Sequence, residues 1–190
     1  MPVLVRRKAP RSVKVSIAQV RTSAERMLHA LSLDERELSI LLTDDPFIRT
    51  LNHEHRGKDK PTDVLAFPLH EPEPGGALPE PHAKGARRST PTGRRRRRPP
   101  KPRDPFELLL GDVIISLDTA RRQASERGQP LMAEIRFLLA HGLLHLIGYD
   151  HQTDAEELAM NEMTRRLVAA ARRPDGSRAS HAHVGATRRR

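Results

Sequence analysis

Cysteine is absent from the 190-residue chain, so neither a disulfide nor thiolate chemistry is open to it. Aromatic side chains are scarce: there is no Trp, and one Tyr and four Phe leave little with which to stack bases. That argues against a nucleic-acid-binding module of the RNA-recognition-motif or OB type, which relies on aromatic platforms. No segment approaches the length of a membrane span, and the apolar run Val3-Leu4-Val5 before Arg6-Arg7-Lys8 is too short for a signal peptide. The expectation is a soluble, cytoplasmic protein of one domain, with no membrane partner.

Acidic residues are missing from three stretches or nearly so. Residues 1–14 carry five basic and no acidic groups, 82–103 carry ten and none, and 172–190 carry six and one. The rest of the chain holds 13 basic and 23 acidic residues, so the net charge of +10 hides an acidic body with basic arms. Arms of this kind suit a polyanionic partner, because Arg and Lys can neutralise phosphates without a dedicated pocket. Blocks of like charge are also commonly plain disordered tails. Residues 70–103 hold half of the 16 prolines, the run Arg94 to Arg98 and hardly any apolar side chain, and read as a disordered insertion. Residues 172–190 read as a basic disordered tail, which leaves 1–69 and 104–171 as the domain.

Within that domain, Val3 to Val5 predicts a short edge strand. Ile17, Val20, Ala24, Met27, Leu28 and Leu31 recur at helical spacing between about Lys14 and Ser32, with Ser12 or Ser16 as a cap. Leu38 to Thr43 predicts a strand, and Asp44-Asp45-Pro46 starts a helix that runs to about His55. Arg56 to Asp63 reads as a polar loop feeding a strand from Thr62 to Leu69, whose unbroken apolar character suits cover on both faces. A strand at Leu108 to Ser116 and a helix at Leu117 to Arg127, ended by Gly128 and Pro130, follow. A helix from about Met132 to Ile147 comes next. The last helix is expected to be capped by Asp154 and to bury Leu158, Met163, Leu167 and Val168.

The Met132 to Ile147 helix carries the chemistry. Ile135, Phe137, Leu138, Leu139 and Ala140 continue at helical spacing through Leu143, Leu144 and Ile147, so His141 and His145 stand one turn apart on one face, a spacing that lets two imidazoles share one metal ion. Gly148 can end the helix, and Tyr149-Asp150 carries the chain round so that His151 can supply a third nitrogen. Three protein ligands leave one position for water, the pattern of a catalytic rather than a structural zinc. Zinc suits imidazole first; nickel, copper and iron also accept it. The alternative is a hydrogen-bonded pair of core histidines, which the third histidine disfavours.

The stretch His141-Gly142-Leu143-Leu144-His145-Leu146-Ile147-Gly148-Tyr149-Asp150-His151 resembles the hallmark of the YbeY endoribonuclease family, H-G-x-L-H-L-x-G-Y-D-H, at every fixed position. The resemblance continues through Leu51-Asn52, Arg56-Gly57-Lys58-Asp59-Lys60-Pro61-Thr62-Asp63-Val64-Leu65 and Leu110-Gly111-Asp112, from about Leu38 to about Val168 with one interruption. It implies an α+β fold with a small mixed sheet of about four strands packed by helices and a zincin-like metal helix. It also implies one zinc on His141, His145 and His151, and cleavage of single-stranded RNA in ribosomal RNA maturation and ribosome quality control beside small-subunit components. The resemblance gives Arg56 a catalytic role. Independently, a guanidinium can grip a phosphate in two places and offset the charge that develops during attack; the competing reading is an ion pair with Asp59 or Asp63. His55 and Ala66 depart from the family's common Tyr and Ser.

Histidines from a helix and its following turn are also similar to those of metzincin proteases, which place a glutamate beside the first histidine; here that residue is Gly142. A peptidase is therefore disfavoured. The base stays open among a zinc-bound hydroxide, Asp150 and an RNA 2′-hydroxyl. The rival to an endoribonuclease is a non-catalytic ribosome-assembly factor with a structural metal. His181 and His183 in the tail can bind metal adventitiously.

Overall fold

The computed structural model describes residues 3–9, 12–70, 108–149 and 153–172. The expected insertion and tail fall outside these residues except for His70 and Arg172, as do Asp150, His151, His181 and His183. Four strands, β1 (Val3–Arg7), β2 (Glu37–Thr43), β3 (Val64–Pro68) and β4 (Leu109–Ser116), form one sheet in the order β1-β2-β4-β3. The first two pairings are parallel, and β3 runs antiparallel to β4, with Leu65 opposite Ile114. Five helices complete the domain: α1 (Ile17–Ala30), α2 (Asp45–Arg56), α3 (Leu117–Glu126), α4 (Leu131–Leu146) and α5 (Asp154–Arg172). The mixed α+β sheet expected from the sequence is the one observed, with Val3 opening an edge strand.

Successive strand side chains point to opposite faces, and β4 shows the result. Val113 and Ile115 enter the main core with Leu138, Leu139 and Leu143 of α4, whereas Ile114 joins Ile48 of α2 and Leu65 of β3 in a smaller cluster behind the sheet. Although β3 is at an edge, both faces are covered as expected: Val64 and Ala66 pack on the main core, Leu65 and Phe67 on the smaller one. Helix α4 is apolar almost all round because it is an interior helix, lying on β3 and β4 and flanked by α1, α3 and α5.

Local signals set the helix ends. Ser16, rather than Ser12, caps α1 by accepting from the Gln19 N–H at 3.3 Å, and Asp44 caps α2 by accepting from the Phe47 N–H at 3.0 Å. Two expectations for α5 need correction. Its cap is Thr153, whose hydroxyl accepts from the Glu156 N–H while the Glu156 carboxylate accepts from the Thr153 N–H, and Asp154 is the first helical residue. Leu158 is 68% exposed; the buried face is Met160, Thr164, Leu167 and Ala171. Helix α5 also takes in Arg172, which the sequence assigned to the tail.

Candidate metal and phosphate site

The ends of two helices contribute side chains to one cleft. At the end of α4, Gly148 takes φ +90°. The Gly148 N–H then donates to the His145 carbonyl at 3.2 Å and the Tyr149 N–H to the Leu144 carbonyl at 3.0 Å. These two bonds are the Schellman closure, which reverses the chain within one turn. The reversal brings the Tyr149 carbonyl to 3.1 Å from His145 Nδ1. A carbonyl can only accept, so Nδ1 carries a proton, and in the neutral ring Nε2 is then the nitrogen with the lone pair. A backbone carbonyl on the far ring nitrogen is the usual partner of a metal-binding imidazole.

His145 Nε2 lies 3.3 Å from His141 Nε2, with the rings at 90° to each other. Two nitrogens each 2.0–2.1 Å from one tetrahedral zinc are about 3.3 to 3.4 Å apart, so the pair fits a shared ion. His151, the expected third ligand, lies outside the described residues, and among these no set of three metal-binding side chains converges.

The second helix end brings Arg56. The sequence reading put it in a loop; it is instead the last residue of α2, fixed there by Gly57 at φ +66°, whose N–H donates to the His53 carbonyl at 3.0 Å. Arg56, Thr62, Asp63, Val64, Phe137, His141 and His145 line one cleft of about 200 Å³. The ion pair that competed for Arg56 is taken up elsewhere: Asp59 accepts two bonds from Arg49, both 2.7 Å, which hold its carboxyl below the ordinary carboxylate range. Asp63 accepts from the Thr62 hydroxyl at 3.1 Å, the Val64 N–H at 2.8 Å and the Gln123 side-chain amide at 3.0 Å. Among the described residues Arg56 has no ion-pair partner, and its side chain is exposed at the cleft.

Gly142 also lies here, and its size is dictated by packing. A Cβ at this position would come within 2.9 Å of Val113 Cγ1 and 3.2 Å of Val64 Cγ2, so any side chain here would force α4 or these valines to shift. The glutamate of a metzincin would meet the same crowding.

The sequence pattern of the family described as Endoribonuclease YbeY matches residues 7–172. The chain belongs to the YbeY endoribonuclease family. The match begins at Arg7 on β1, well before the Leu38 at which the sequence resemblance was expected to start. An endoribonuclease YbeY of Anaeromyxobacter dehalogenans (strain 2CP-C) is 42% identical over 152 residues, which cover 80% of this chain and 63% of that protein. An endoribonuclease YbeY of Aquifex aeolicus (strain VF5) is 42% identical over 144 residues, covering 76% and 75%. The solution structure of TM1509 from Thermotoga maritima shares the fold, with a TM-score of 0.50 at 22% identity over 88% of this chain and 89% of that one.

Of the site residues expected from the sequence, the structure brings His141, His145 and Arg56 to one cleft. Asp63, Thr62 and Phe137 line it as well, and none of them was given a role in the site from sequence. Phe137 was legible in principle, since it stands four residues before His141 and therefore on the same face of α4.

Proposed function

We propose that this chain is a zinc-dependent endoribonuclease specific for single-stranded RNA, acting in ribosomal RNA maturation and ribosome quality control in the cytoplasm, beside small-subunit components. The observation that carries the reading is the pair of Nε2 atoms 3.3 Å apart in the same cleft as an exposed arginine. His141, His145 and His151 would hold the ion, one per chain. Zinc bound by three histidines supplies a Lewis acid and makes hydroxide accessible near neutral pH.

The chain's own residues supply the rest. The Tyr149 carbonyl keeps the proton on His145 Nδ1 and so keeps Nε2 a ligand. Arg56, free to form two parallel bonds, grips the scissile phosphate and offsets the negative charge that grows on its oxygens during attack. The Thr62 hydroxyl, the Val64 N–H and Gln123 hold the Asp63 carboxylate at the cleft wall, where it can accept a proton or orient a water molecule.

Elemental analysis of tag-free protein combined with cleavage of a single-stranded RNA tests this. About one zinc per chain and metal-dependent cleavage are expected, with both lost in His141→Ala and His145→Ala. Stoichiometric metal retained in both variants would refute the ligand assignment.

A further inference from the structure

Phe137 stands out from the other apolar side chains. The large apolar residues exposed among the described ones are Leu4, Leu69, Phe137 and Leu158; Phe137 is the aromatic one, and the one that lines the cleft. It is 37% exposed, where Leu138, Leu139, Leu143 and Leu144 of the same helix are buried. Its neighbours fix its orientation. The ring lies 13° from parallel to His141 with centroids 6.3 Å apart, and the Arg127 guanidinium carbon is 5.7 Å from its centroid. Arg127 is in turn tied to Glu134, a carboxylate with no exposure that also accepts from the Gln129 side-chain amide. Fully overlapping rings would sit about 3.5 to 4 Å apart, so His141 does not cover the ring face to face, and the partly exposed ring borders the cleft.

A partly exposed aromatic ring beside an exposed arginine and two imidazoles that converge has the composition of a nucleotide subsite. We propose that Phe137 is a base platform: a nucleobase of single-stranded RNA next to the scissile phosphate stacks on it. This rests on the nuclease reading above and adds its specificity determinant. Stacking on an aromatic face tolerates any base, because every base has a π-face, and it favours purines, whose faces are larger. A base within a duplex is already stacked on its neighbours and cannot leave without unpairing. One platform at the cleft therefore selects unpaired RNA without reading sequence. The single site also answers the scarcity of aromatics in the chain, since only one ring has to be placed.

Full-length protein titrated with labelled ten-nucleotide oligoadenylate, oligouridylate and an RNA duplex of the same length tests the platform. Phe137→Leu keeps an apolar side chain without a π-face, and Phe137→Trp enlarges the face. The wild type should bind oligoadenylate more tightly than oligouridylate. Phe137→Leu should weaken oligoadenylate binding roughly 5- to 150-fold, the scale of one lost base stack, with a smaller loss for oligouridylate and little change for duplex. Phe137→Trp should restore the preference, and zinc content should stay at the wild-type value in both variants. An unchanged Phe137→Leu profile in protein that still cleaves RNA would overturn the platform alone. Zinc loss in Phe137→Leu would overturn it too, showing that the ring acts only through His141. A wild type that binds and cleaves no RNA would bring down the nuclease reading and the platform with it.

Discussion

His141 and His145 are a helical i, i+4 pair, a spacing common in cores, and what separates them from packed histidines is the backbone around them. The Schellman turn at Gly148 delivers the Tyr149 carbonyl to His145 Nδ1, and the pair then presents two Nε2 atoms to one point. Gly142 lets α4 approach the sheet. Gly142→Ala should lower stability by about 1 to 3 kcal/mol, the usual cost of one extra methyl in a close-packed core, measured as the urea unfolding free energy. Val113→Ala combined with it should recover part of that loss, because the 2.9 Å contact is with Val113 Cγ1. Strictly additive losses would place the strain elsewhere. The histidine pair and Gly142 were legible as a motif, but the reason for the glycine was not, since it depends on two valines from different strands.

Helix α2 carries Arg56 at one end and is pinned at the other. Asp45 accepts from the hydroxyls of Ser116 and Thr119 and from Arg122, and the Asp45 N–H donates to the Asp118 carboxylate at 3.2 Å. Burial alone would raise the Asp45 pKa, but the bonds from Ser116, Thr119 and Arg122 together outweigh it and hold the carboxyl below its ordinary 3.8. A carboxylate depressed in the folded state stabilises the fold above its unfolded pKa, and that stability is lost as pH falls through the folded value. Urea unfolding should therefore show a loss between about pH 5 and the lowest accessible pH that Asp45→Asn reduces; an identical acid limb in the variant would remove Asp45 from the balance. Every strand and helix was legible from apolar periodicity, to within a residue or two at most ends. The Asp45 network was not, because its partners lie more than seventy positions away. The α5 stripe was misphased for a different reason: Thr164 is buried with its hydroxyl donating to the Met160 carbonyl at 2.8 Å, so a polar residue holds a core position while Leu158 faces out. Glu134 was equally hidden, its burial made tolerable only by Arg127 and Gln129 folding back over it.

Across the whole molecule, the proposed function divides the work on RNA between the acidic body, with chemistry in the cleft, and the basic stretches, which would supply non-specific attraction. Deleting 82–103, a stretch with ten basic and no acidic residues, should weaken RNA binding more than it slows the bound-state chemical step. Each phosphate that the deletion leaves without a basic partner should flatten the plot of log affinity against log salt by about 0.7, and an unchanged slope would show that the stretch does not touch RNA. The convergence of Arg56 with the histidines came to the sequence reading only through family resemblance, because it joins the end of α2 to α4, two helices that pack in different clusters of the fold. That convergence is the centre of the account, and the single-turnover cleavage rate of Arg56→Ala, with saturating enzyme of measured zinc content, tests it most directly. An arginine is no usual zinc ligand, so metal should be retained while the rate falls roughly 100-fold or more, with little rescue by Arg56→Lys. Wild-type rates in both variants would contradict a single site built from the histidines and Arg56.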